Sequence, residues 1–109
     1  LWEAEIWGID VTVVDPSNNN LPNGFALGQN YPNPFNPSTT INYSIPAFSF
    51  VTLKVYDVLG NEVATLVNEE KKAGSYLAPF DGTLLSSGIY ICTMTGNNFI
   101  KSIKMLMIK

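Results

Sequence analysis

From Phe25 onward, apolar and polar positions alternate in short runs. Ile41, Tyr43 and Ile45 are interleaved with Thr40, Asn42 and Ser44, and the run stops at Pro46; a period of two predicts a strand with one face buried and the other wet. Val51, Leu53 and Val55 repeat the pattern against Thr52, Lys54 and Tyr56. That run meets Asp57-Val58-Leu59-Gly60-Asn61, where Gly60 can take the positive φ of a tight turn, so Glu62–Val67 should return as a hairpin. Charged Glu69-Glu70-Lys71-Lys72 and then Ala73-Gly74 close that strand, and Ser75–Phe80 opens another that ends at Asp81-Gly82. Ser87-Gly88 introduces Ile89–Thr95, Gly96-Asn97-Asn98 reads as a hairpin turn, and Phe99–Ile108 is the last strand. A short strand at Phe25–Gly28 brings the count to seven, with turn signals at the roughly 8–12-residue intervals of a sandwich or barrel. No helical period competes.

The first residues follow a different pattern. Ile9, Val11, Thr12, Val13 and Val14 suit a strand, although alternation fails around Trp7-Gly8. After it, Asp15-Pro16-Ser17-Asn18-Asn19-Asn20-Leu21-Pro22-Asn23-Gly24 favours turns and extended chain over any packed element. The expected division is therefore residues 1–15 as the final strand of a preceding domain, 16–24 as a linker and 25–109 as one all-β domain. Charge follows the same division: Glu3, Glu5, Asp10 and Asp15 crowd the first piece, whereas the chain after Asp81 carries Lys101, Lys104 and Lys109 and no acid. With Leu1 first and no basic or apolar leader, the sequence reads as part of a longer product.

Composition narrows the chemistry. A chain of 109 residues can bury a core of its own. Its strongest uninterrupted apolar run is Met105–Ile108, far short of the roughly 18 residues of a membrane-spanning helix, so no membrane insertion is expected. There is no histidine, which removes the commonest general base and any Ser-His-Asp or Cys-His relay, together with the usual zinc and copper ligand sets. The reading is of a non-enzyme without metal or cofactor. Six lysines, no arginine and a net charge of −3 argue against nucleic acid as a partner. Cys92 has no disulfide partner in the chain, and its neighbours Tyr90, Ile91 and Met94 favour a buried, inert thiol over a reactive one.

Three segments invite a functional reading. Asn30-Tyr31-Pro32-Asn33-Pro34-Phe35-Asn36-Pro37-Ser38-Thr39-Thr40 should be a stiff, irregular crossing between strands, with Tyr31 and Phe35 capping one end of the core; a polyproline ligand for an aromatic groove is the alternative. Asp57 and Asp81 could be a carboxylate pair or calcium ligands, but aspartate beside a glycine turn is ordinary turn chemistry, and no ligand-type spacing accompanies them. In the last strand, alternation sends Met105 and Met107 to one side and Leu106 and Ile108 to the other, so both faces of its end are apolar. Covering loops of the same domain or a docking protein could bury that excess.

Taken together, Leu27-Gly28-Gln29-Asn30-Tyr31-Pro32-Asn33-Pro34-Phe35-Asn36-Pro37, Val55-Tyr56-Asp57-Val58-Leu59-Gly60-Asn61-Glu62-Val63, Ala73-Gly74-Ser75-Tyr76, Asp81-Gly82 and Ser87-Gly88-Ile89-Tyr90 resemble the C-terminal sorting domains of type IX secretion cargo, relatives of the immunoglobulin-like domains of flagellar hook-capping type. One departure is Pro79-Phe80, where that family usually carries a tryptophan before the Asp-Gly turn. The resemblance implies a seven-stranded antiparallel immunoglobulin-like sandwich at the end of an exported protein. It implies passage through the periplasm to the cell surface or beyond, recognition by the outer-membrane translocon, and removal by a sortase-like peptidase. Family positions carried over are Pro32, Asn33, Pro34, Gly60, Gly88 and Tyr90, mainly structural, and Lys104 and Lys109 in the last strand.

The expected partner-recognition surface is that strand: Phe99, Lys101, Ile103, Lys104, Met105, Leu106, Met107, Ile108 and Lys109, which join a chain end, apolar surface and positive charge. A cleavage site would fall in the Asp15–Asn23 linker. The competing reading is a structural module of an extracellular filament, in which residues 1–14 are exchanged between copies as a strand in a homo-oligomer.

Overall fold

The computed structural model describes residues 24–109, as seven strands and no helix. The strand expected at 1–14 and most of the linker lie outside the described residues. In chain order the strands are β1 Ala26–Leu27, β2 Ser38–Ile45, β3 Ser49–Tyr56, β4 Glu62–Lys71, β5 Gly74–Asp81, β6 Gly88–Gly96 and β7 Phe99–Met107. They form two antiparallel sheets, one in the order β1-β2-β5 and the other β4-β3-β6-β7. This is the immunoglobulin-like sandwich that the alternation and the motifs predicted, with β4 laid beside β3 in the four-stranded sheet.

Period two sets the core. β2 turns Ile41, Tyr43 and Ile45 inward, β3 Val51, Leu53 and Val55, β6 Tyr90, Cys92 and Met94, and β7 Ile103, Met105 and Met107, all buried. β5 adds Ala78 and Phe80. Phe80 meets Phe35 edge-on at 5.9 Å between centroids. Tyr90 is held by more than packing: its hydroxyl donates to the Ser86 carbonyl, four residues upstream, at 2.7 Å. That is the geometry of a tyrosine corner.

Two details depart from the sequence pattern. β4 runs on to Lys71 instead of stopping at Val67, because Val51, Phe50 and Ser49 still pair with Glu69, Glu70 and Lys71. The charges sit on a sheet edge, where they cost little and discourage pairing with another chain. The register between β3 and β4 slips twice, at Leu53/Lys54 and at Val55/Tyr56 of β3, which further roughens the β4 edge. Pro79 does the same for the outer edge of β5, where it removes a backbone donor. Tyr31 corrects the second expectation: it lies 81% exposed and does not cap the core. Its backbone pairs with Thr40, N to O at 2.9 and 3.0 Å, which leaves the ring outside while Phe35 alone enters the core.

Candidate recognition surface

The proline motif is a strap over the outer edge of the last strand. Its peptide bonds Tyr31-Pro32, Asn33-Pro34 and Asn36-Pro37 are cis. The Gln29 amide donates to the Lys104 carbonyl at 2.8 Å, and the Leu106 N–H donates to the Asn33 side-chain oxygen at 3.1 Å. Further on, the Phe35 N–H donates to the Leu106 carbonyl and the Ile108 N–H to the Phe35 carbonyl, both at 2.9 Å. Phe35 therefore forms a parallel bridge with Met107, its ring buried against Phe80. Backbone groups that would otherwise face solvent from residue 104 to 108 are thereby paired.

The strap has an internal brace. Asn30, only 2% exposed, donates its amide to the Pro32 carbonyl at 3.1 Å and to the Thr39 hydroxyl at 3.0 Å. Thr39 in turn donates to the Pro32 carbonyl at 2.8 Å, and Gln29 donates to the Asn30 side-chain oxygen at 2.6 Å. A buried amide bonded this fully is costly to remove.

The expected recognition residues divide in two. Ile103, Met105 and Met107 point into the sandwich and are core residues, so a partner of the folded domain cannot touch them. This corrects their expected place on an outward surface, and the physical cause is simple alternation: from Ile103 to Ile108 the odd-numbered positions face the opposing sheet and the even-numbered ones face out. Phe99 is also inward, half-buried and stacked on Phe25 at 5.2 Å. Lys101 is exposed opposite Met94. Lys104, Leu106 and Ile108 lie on the outside, Leu106 38% and Ile108 51% exposed, beside the exposed Pro32, Asn33 and Pro34 of the strap. Lys109 is drawn sideways: its N–H donates to the Ser87 hydroxyl at 3.0 Å and its ammonium to the Thr83 carbonyl at 2.6 Å.

The remaining motif positions are architectural. Gly60 has φ +89° in the turn after β3, a value that favours glycine. The turn is closed by Asp57, which accepts the N–H groups of Leu59 at 3.0 Å and Asn61 at 2.9 Å; the Asn61 amide, above all, holds its carboxyl below the ordinary 3.8. Asp81 is likewise lowered, by the Thr83 hydroxyl and N–H. Gly88 opens β6. Cys92 sits at the centre of the four-stranded sheet, opposite Val55 and Ile103, and burial pushes its thiol up to about 12. Among the described residues no group of three or more His, Cys, Asp or Glu could hold a metal ion, and no helix is long and apolar enough to cross a membrane.

A strap of this sequence on the last strand of such a sandwich is matched by one family model, the secretion system C-terminal sorting domain, over residues 29–109. The chain belongs to that family. It carries a type IX sorting signal, which marks proteins for export to the cell surface or the extracellular space, and it implies an upstream cargo and contact with the secretion system. The family is not known for catalysis. No curated protein and no solved structure matches the chain.

The sorting domain's least obvious members are Gln29, Asn30 and Thr39. The sequence motifs contain all three without giving any of them a role. Their only signal was polarity beside an aromatic and prolines, since Asn30 and Thr39 meet across nine residues.

Proposed function

We propose that the type IX translocon reads a composite surface made by the proline strap and the outward side of the last strand: Asn33 and Pro34 with Lys104, Leu106 and Ile108. The supporting observation is the run of hydrogen bonds from Gln29 to Phe35 along Lys104–Ile108, which fixes two distant motifs of the family as one patch. Apolar side chains left beside a lysine on a rigid support suit a protein partner. Cleavage by a sortase-like peptidase in the Asp15–Asn23 linker would then release the cargo from its label.

The test is export of a reporter fused to residues 21–109 in a host with type IX secretion. Removing residues 99–109 would take Ile103, Met105 and Met107 from the core, so outward substitutions are needed instead. Lys104→Glu with Leu106→Asn and Ile108→Asn should leave the domain folded and the reporter in the periplasm. Export equal to that of the parent, with folding intact, would reject the surface. Against the filament reading stand the charged, bulged edge of β4, Pro79 on β5 and the strap on β7, since each hinders strand addition.

A further inference from the structure

The outer face of the four-stranded sheet changes character along its length. Midway it is polar: Thr52 and Thr95 bond through their hydroxyls between β3 and β6, and Thr93 and Ser102 do so at 2.8 Å between β6 and β7. Toward the β3–β4 turn it becomes apolar. Tyr56, Ile91 and Lys104 lie in one row across β3, β6 and β7, Ile89 stands opposite Leu106, and Val58 projects from the turn, 70% exposed. Tyr56, Val58, Gly60, Ile89, Ile91 and Lys104 line an open groove of about 470 Å³. Asp57 also lines it, but its carboxylate is bound by amides of its own turn. An outward face of a sandwich ordinarily carries polar residues, and neither the core nor the strap uses this one. Its floor fits aliphatic or aromatic side chains, and the ammonium at its rim fits a neighbouring carboxylate.

We propose that this groove receives the chain's own residues 1–14, through Trp2, Ile6 and Trp7 on the apolar floor and Glu3 or Glu5 against Lys104. Charge is the first argument. Residues 1–15 hold four acids and no base, whereas the chain beyond Asp81 holds three lysines and no acid. Composition is the second, because Trp2, Ile6 and Trp7 flank Glu3 and Glu5, which puts large apolar side chains and carboxylates in one short segment. Reach is the third. Phe25 stacks on Phe99, so the chain enters beside the start of β7, and Lys104 lies five residues along that strand, about 17 Å away. Residues 15–23 can span about 30 Å when extended. In the exported protein this contact would set the end of the cargo against its label instead of leaving the two to tumble on a linker. The groove shares Lys104 with the proposed translocon surface, but the contact is read by fluorescence without secretion, so the two are tested separately.

Trp2 and Trp7 are the two tryptophans of the chain, so indole fluorescence reports on this segment alone. In the full 109-residue chain the emission should be blue-shifted, and acrylamide quenching weaker than in a peptide of residues 1–20. Ile91→Asn should restore peptide-like quenching, and Lys104→Glu should weaken docking by up to about fivefold, the size of an exposed ion pair. Circular dichroism confirms that both variants are folded. Quenching equal to that of the free peptide, or unchanged in both folded variants, overturns the proposal. Protection that grows with protein concentration overturns it too, by assigning the groove to the segment of a second copy.

Discussion

Phe35 and Leu106 are joined N–H to carbonyl at 2.9 Å, across 71 residues of sequence, at the point where the proline strap meets the last strand. The bond matters for its position: it ties the proline motif to the strand that ends the domain. The Phe35 ring continues inward to Phe80, so a single residue fixes both the edge and the core beneath it.

Phe35→Ala should accordingly cost about 3–5 kcal/mol, the range for a buried phenylalanine. Asn33→Ala, which removes one exposed side-chain bond to the Leu106 N–H, should cost about 0.5–1.5 kcal/mol. Urea unfolding of the two variants checks the ratio. Equal midpoints would mean that the strap adds nothing beyond its backbone bonds.

Strand positions were legible because alternation is a local property, and the core-facing sets of β2, β3, β5, β6 and β7 follow it directly. The strap was not. Its prolines announced an irregular segment, but which edge it covers depends on pairing with residues 104–108, and no periodicity encodes that. Which side of the last strand faces out was hidden for the same reason: a run such as Met105-Leu106-Met107-Ile108 shows two apolar faces, and only the opposing sheet decides which face is spent on the core. Asn30 stayed hidden because burial of a polar side chain is visible only with its partners.

Gly60→Ala should destabilise by about 1–2 kcal/mol, the cost of a left-handed conformation for a residue with a Cβ. Nothing lies within 4 Å of the added carbon and the backbone is at φ +89°, so the loss is conformational and not steric. Gly60→Asn should lose less, since asparagine tolerates that region. Denaturation midpoints decide; Asn and Ala costing the same would point to another cause.

Asp57 and Asp81 predict a loss of stability in acid. Each accepts N–H bonds only as the folded carboxylate, so each folded carboxyl titrates below its ordinary 3.8. The unfolded chain then binds more protons than the folded one once pH falls to about the ordinary 3.8, so stability drops from there down through the lowered folded values and stays level above the ordinary carboxylate range. Asp57→Asn keeps an acceptor oxygen without the charge. It should leave the urea midpoint at neutral pH nearly unchanged and make the acid decline shallower; an unchanged decline would exclude this turn as a contributor.

Cys92 offers a clock for opening of the sandwich. The thiolate is the reactive form, and with the thiol near 12 and the side chain fully buried, only about one molecule in ten thousand would carry it at pH 8 even if a reagent could reach it. Labelling must therefore proceed through structures in which β6 has left the core, and its rate should follow their population. Because the strap secures the neighbouring β7, weakening it should speed labelling in proportion to the stability lost. Asn33→Ala should accelerate it about two- to tenfold, and Phe35→Ala by a hundredfold or more, each kilocalorie counting for about a factor of five. Mass spectrometry of alkylated protein over time gives the rates. Labelling of the native domain as fast as free cysteine would show that the centre of the sheet is open, and with it that the strap does not hold the sandwich closed.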